Sequence, residues 1–189
     1  GKRLTEVASS IFWWRDKQAV KPSVFIDTLK PLRATVFRYA PQELSLAPPY
    51  SGIANHFRPV YRKGYGLGRL QARGVQYHSG VGVHAPSQLL YALDAAWTRF
   101  VATVSVDESV AEQDLAWQLG QHPSVVFRVF IDGTLASQSP SLTLLSVPWR
   151  FNVAIPHGSR LISLCVTDGG DGNRLDMAVW LDAGFIVAE

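Results

Sequence analysis

From residue 87 to the C-terminus, apolar and polar residues alternate with a period of two, and a turn signal interrupts each run. Successive side chains of an extended strand point to opposite faces, so such runs predict strands that bury one face in a core. Leu89, Tyr91 and Leu93 alternate with Gln88, Leu90 and Ala92. In the next run Phe100, Ala102, Val104 and Val106 share one face, with Arg99, Thr103 and Ser105 on the other. Val125, Phe127, Val129 and Ile131 follow, closed by Asp132-Gly133, a hairpin dipeptide because glycine accepts positive φ. Trp149, Phe151, Val153 and Ile155 form another run, ended by Pro156-His157-Gly158. Ile162, Leu164 and Val166 form the next, and residues 178–187 the last. Many short strands spaced by turns predict an all-β, antiparallel sandwich or barrel.

Two segments break the pattern. Ser109 and Glu112 have the spacing of a capping box, and Leu115, Ala116 and Leu119 follow at helical spacing before Gly120. This predicts a short inserted helix over residues 110–119. Leu4, Val7, Ala8 and Ile11 are also helically spaced and lead into Phe12, Trp13 and Trp14. Residues 1–22 therefore read as an N-terminal extension, a helix or a tail, ahead of one domain over 23–189. Val24-Phe25-Ile26 and Thr35-Val36-Phe37 read as strands, and the prolines and glycines between Pro41 and Gly68 predict a long irregular connection.

Composition excludes several classes. With 189 residues, 47% hydrophobic and 17% charged, the chain can bury a full core. The net charge of +3 is modest. Arg58, Arg62, Lys63, Arg69 and Arg73, interleaved with Tyr61 and Tyr65, read as a solvated loop. Neither an RNA-recognition signature nor a helix-turn-helix pattern accompanies them, so a nucleic-acid partner is not expected. Cys165 is the single cysteine, which rules out an internal disulfide and a thiolate zinc cluster. No apolar run is long enough to span a membrane. The sequence has no Gly-x-Ser-x-Gly elbow, no His-Glu-x-x-His and no phosphate loop, and Gly64 to Gly68 lacks the strand–helix context of a dinucleotide fingerprint. An enzyme is not expected.

Antiparallel neighbours reverse direction, so counting reversals locates the loops. His84, the pair Asp107-Glu108, and the loop Asp168-Gly169-Gly170-Asp171-Gly172-Asn173 with Asp176 all fall at one rim.

These stretches resemble, in order, the blocks of the NPCBM family of carbohydrate-binding modules. Ile26-Asp27-Thr28-Leu29-Lys30-Pro31 is similar to the family's opening, and Gly80-Val81-Gly82-Val83-His84-Ala85-Pro86-Ser87 with residues 89–93 to its central motif. Residues 99–107, 124–129 and 168–183 complete a resemblance that covers about residues 23–188. It implies a jelly-roll β-sandwich of the galactose-binding-domain-like kind, carried by a larger secreted, periplasmic or cell-surface protein. The implied partners are a glycan of galactose or N-acetylgalactosamine type and the other domains of that protein. Met177 and Val179 depart from the family, which commonly has His and Asp at those positions.

A sugar ring offers hydroxyls to polar side chains and an apolar face to an aromatic ring. On that reading Asp107, Glu108 and Asp176 accept hydroxyl hydrogens, His84 donates or accepts, and Trp117 or Trp180 stacks on the ring. Each has a structural alternative: His84 can tie down a neighbouring loop, and both tryptophans can pack inward. Asp168, Asp171 and Asn173 place oxygen ligands between glycine turns, a pattern suited to a structural Ca²⁺, with a tight aspartate–glycine turn as the alternative. The rival function is a protein-interaction or structural module whose sugar site has decayed, favoured by Phe12, Trp13, Trp14, Met177 and Val179.

Overall fold

A computed structural model describes residues 20–36, 59–65, 68–108, 110, 122–172 and 174–189. Two antiparallel sheets face each other. Numbered in chain order, one sheet runs β12 (Trp149–Ala154), β8 (Trp97–Val106), β14 (Met177–Val187), β6 (Gly80–His84) and β3 (Val60–Tyr61), with β1 (Val24–Phe25) also on β14. The other runs β10 (Thr134–Gln138), β9 (Ser124–Ile131), β13 (Leu161–Asp168), β7 (Ser87–Ala92) and β2 (Arg33–Val36), with β11 (Leu142–Thr143) on β9. A separate hairpin pairs β4 (Gln71–Ala72) with β5 (Val75–Gln76).

The core lies between the sheets and takes the predicted faces. From the first sheet come Phe100, Ala102, Val104 and Val106 of β8, Phe151 and Val153 of β12, and Val81 and Val83 of β6. Opposite them sit Val125, Phe127, Val129 and Ile131 of β9, Ile162, Leu164 and Val166 of β13, and Leu89 and Tyr91 of β7. Trp180 of β14 is the centre, fully buried, with its ring centroid 5.0 Å from that of Phe127, 6.0 Å from Phe151 and 6.2 Å from Phe100. Those spacings are the range in which aromatic pairs attract beyond their area burial.

The Asp132-Gly133 hairpin forms as expected, with φ of 48° and 79°, both left-handed as a type I′ turn requires. Asp132 tolerates that strain because its carboxylate accepts the backbone N–H groups of Arg160 and Leu161.

Several local expectations change. Ile26 leaves the first strand and opens a single 3₁₀ turn, Ile26–Thr28. The connection after Pro41 is partly ordered, since β3 and the β4–β5 hairpin arise within and just after it. Two-residue strands carry too little alternation to be seen in a sequence. Residues 1–19 of the extension and all but Val110 of the expected helix lie outside the described residues.

Candidate functional site

The three polar stretches do meet at one end of the sandwich. The Ala85 N–H donates to the Asp176 carbonyl at 2.9 Å, and the Asp107 N–H donates to the Met177 carbonyl at 2.9 Å. The Ser124 N–H donates to the Asp176 carboxylate at 3.0 Å. These rims come together because β14 lies between β8 and β6 in one sheet.

The accessible part of this end is built on the glycines of β6. Inward-facing Val81 and Val83 leave Gly80, Gly82 and His84 on the outer face. A Cβ on Gly82 would fall under 3 Å from Tyr65 N, Gly64 C and Lys63 O, so residues 63–65 rest directly on the strand backbone. Gly64 in turn lies against the Asp107 carboxylate, leaving no room for a Cβ. The Tyr65 N–H donates to that carboxylate at 3.0 Å. The result sets the Tyr65 ring beside His84, centroids 5.5 Å apart and planes tilted by 59°.

His84 is half-buried and its Nδ1 lies 2.7 Å from the Ala85 carbonyl. A carbonyl only accepts, so Nδ1 carries the proton. Burial holds the imidazole pKa below its usual value, against the opposing effect of the Ala85 bond. The ring is therefore neutral at physiological pH and Nε2 presents a lone pair, an acceptor for a hydroxyl. Burial keeps the Tyr65 phenol protonated, so it both donates and accepts.

The other expected site residues divide. Glu108 is half-buried and its carboxylate accepts the Gly74 N–H of the β4–β5 turn at 3.2 Å. Asp107 is 1% exposed and positions Tyr65. Asp176 is fully buried: one carboxylate oxygen caps Ser124 and the other has no partner among the described residues. Trp180 is a core residue with no face toward a ligand, a correction to its expected stacking role, since its inward position on β14 places it between the sheets. Asp176 is likewise no hydroxyl acceptor at a surface. Trp117 lies outside the described residues.

The glycine loop is held internally. The Ser124 hydroxyl donates to Asp171 at 2.6 Å, the Gly170 N–H to Asp168 at 2.7 Å, and the Gly169 N–H to the Ser124 carbonyl at 2.8 Å. The Asp168 bond is the tight aspartate–glycine turn. Asn173 lies outside the described residues, and among them no group of three His, Cys, Asp or Glu side chains is arranged to hold a metal ion.

Of the two family departures, Val179 leaves the rim and Met177 stays beside His84. Val179 packs away from it, fully buried with Leu70, Ala72 and Leu181 beneath the β4–β5 hairpin. Met177 pairs with His84 in register and is half-buried against the main core. Tyr65 was visible in the sequence only as an aromatic within a basic run. What makes it part of the rim is the close approach allowed by Gly64 and Gly82.

Residues 43–186 match the sequence profile of the NPCBM/NEW2 domain. The chain belongs to this family. Its fold is similar to that of carbohydrate-binding modules. One is the CBM51 of Clostridium perfringens GH95 in complex with methyl-galactose, with TM-score 0.66, 22% identity, and coverage of 86% of this chain and 98% of that one. A second is the structure of CBM51-2 in complex with GlcNAc and INT domains from Clostridium perfringens ZmpB, with TM-score 0.67 and 22% identity over 87% of this chain and 32% of that one. A third comprises the tandem CBM51 modules of Sp3GH98, a family 98 glycoside hydrolase from Streptococcus pneumoniae SP3-BS71, with TM-score 0.65 and 20% identity over 92% of this chain and 52% of that one. At these identities the likeness is one of fold. No curated protein matches the chain. Among the described residues no helix is long and apolar enough to cross a membrane.

Proposed function

We propose that this NPCBM domain is a non-catalytic module that binds a galactose-type glycan on behalf of a larger secreted or surface protein. The observation that carries this reading is the Tyr65–His84 pair, a partly exposed aromatic ring next to a half-buried imidazole whose Nδ1 is engaged by the Ala85 carbonyl, which leaves Nε2 as the acceptor. An aromatic ring and a hydroxyl acceptor on rings whose centroids lie 5.5 Å apart match the two sides of a pyranose. The methyl-galactose and GlcNAc complexes of the similarly folded modules make a monosaccharide-sized ligand a natural first probe. Among the described residues Asp107 and Glu108 are engaged with backbone N–H groups and Asp176 is buried, so these three do not make an exposed acid/base pair, which supports binding over hydrolysis.

Affinity is expected to be weak. A methyl-galactoside has about a dozen non-hydrogen atoms, and roughly 0.3 kcal/mol per atom gives about 4 kcal/mol, a Kd near 1 mM. The test is a glycan array followed by titration calorimetry, with calcium and with chelator, on the wild type, His84→Ala and Tyr65→Ala. Selective binding to terminal galactose or N-acetylgalactosamine, lost in both variants while the fold persists, is the expected result. A folded wild type that binds no glycan under either condition refutes the proposal. The rival protein-interaction reading loses one of its supports, because Val179 is packed away, and its other aromatic support at Phe12, Trp13 and Trp14 lies outside the described residues.

A further inference from the structure

Part of the basic run keeps the exposure expected of a solvated loop and also lines an open cavity. Arg62, Lys63, Arg69, Gln76, Tyr77 and His78 surround a space of about 320 Å³ at the Gly80 end of β6. The lining holds three permanent cations and an imidazole, and no carboxylate. Two acids outside the lining act on its residues. Asp27, with a side chain 2% exposed, accepts Arg62 Nε–H at 3.3 Å and the Gly80 N–H at 3.4 Å. That bond anchors one nitrogen of a guanidinium whose side chain remains 63% exposed, leaving its other N–H groups to face outward. The half-buried Asp182 lies within electrostatic reach of His78, and also of Lys21 and Asp27. Lys63 and Arg69 are exposed, and among the described residues neither forms a salt bridge.

The floor is of a different kind. Tyr77 packs on the apolar patch of Leu70, Ala72, Val179 and Leu181 beneath the β4–β5 hairpin. Burial pushes its phenol up to about 12, so the hydroxyl remains a donor at physiological pH. Gln76 adds an amide. Cations, a planar guanidinium, an aromatic floor and neutral hydrogen-bonding groups together suit a sugar ring that carries an anion.

We propose that this cavity is a second glycan subsite, which takes the carboxylate or sulfate of an acidic sugar residue. The proposal deepens the carbohydrate reading and rests on it. His84 lies four residues along β6 from Gly80, about 13 Å at the usual rise of a strand. The same short segment serves both places: Lys63 lines the cavity, and Tyr65, two residues on, adjoins His84. An oligosaccharide crossing over residues 63–65, which cover Gly82 of β6, meets the neutral rim with one residue and the cations with another.

The test is calorimetry with three probes: a neutral galactan oligosaccharide, a sulfated galactan oligosaccharide and a galacturonate oligosaccharide. The proteins are wild type, His84→Ala and the double variant Lys63→Ala/Arg69→Ala, each checked for fold by circular dichroism. At least one acidic probe is expected to bind about tenfold tighter than the neutral one, the scale of losing two partly exposed charge contacts. Which probe gains distinguishes sulfate from carboxylate. The gain is expected to vanish in K63A/R69A, with neutral-probe affinity retained, and to shrink between about 50 and about 500 mM NaCl. Equal binding of neutral and acidic probes, or a gain that survives K63A/R69A, overturns the subsite and leaves the neutral rim standing. Acidic binding that K63A/R69A abolishes, with no neutral binding at all, overturns the galactose-rim reading and leaves the cavity. A single-stranded DNA oligonucleotide that binds as tightly as the acidic glycan overturns the assignment to sugar.

Discussion

Replacing Asp176 with asparagine is expected to remove a pH dependence of stability that the wild type carries. Burial pushes this carboxyl from its ordinary 3.8 up to about 7, with the charges of Asp171 and Asp168 adding to the shift and the Ser124 N–H opposing it. The folded state therefore keeps the proton at pH values where the unfolded state has lost it. Stability contributed by the protonated form is complete below 3.8, erodes as pH rises, and is gone above about 7. Between about pH 5.5 and about pH 8.5 one such group costs the folded state about 2 kcal/mol. For a domain of this size that is about 4 to 8 °C of melting temperature. Asparagine keeps the acceptor for Ser124 and cannot ionise. Urea unfolding of both proteins at the two pH values gives the answer as a difference of differences, so any constant offset from the amide cancels. Parallel behaviour of the two proteins refutes the buried, protonatable carboxyl. A variant destabilised most at the higher pH, with the effect abolished by chelator, shows instead an ionised Asp176 next to bound calcium.

Two further substitutions test the architecture of the rim. Gly82→Ala forces a methyl group into the backbone of residues 63–65, an overpacking expected to cost about 1–3 kcal/mol, and it displaces Tyr65. Calorimetry on G82A should show glycan affinity falling to that of Tyr65→Ala; wild-type affinity in a folded G82A means Tyr65 is not held by this contact. Trp180→Ala removes the ring shared by Phe100, Phe127 and Phe151 and is expected to cost about 3–5 kcal/mol in denaturant unfolding. A loss of sugar binding in W180A without that loss of stability would return Trp180 to the ligand.

The longer strands were legible because each is long enough for period-two alternation to repeat. Phe100, Ala102, Val104 and Val106 point inward in the structure as they do in the pattern. The hairpin at Asp132-Gly133 was legible for a local reason too, since few residues accept its left-handed φ values. Burial on the outer faces was not legible. Gln88 and Thr103 are polar and alternate correctly, yet both are buried. Their cover is set by packing across the sheet, which periodicity within one strand does not encode.

The chemistry of the rim divides along the same line. Sequence order and antiparallel reversal alone placed His84, Asp107 and Asp176 at one end, because a strand's direction follows from the count of turns before it. Which of them a ligand can reach was decided by tertiary structure. Asp176 sits inside as a cap for Ser124, Asp107 behind Tyr65, and Trp180 in the core. The basic residues at 62, 63 and 69 gave no sign in one dimension that a cavity would gather them with Tyr77. Alternation is a property of neighbours in the chain and survives in the sequence. Close approach between distant backbones, such as Gly82 against Tyr65, depends on where two segments come to rest, and exists only once the sheets have packed.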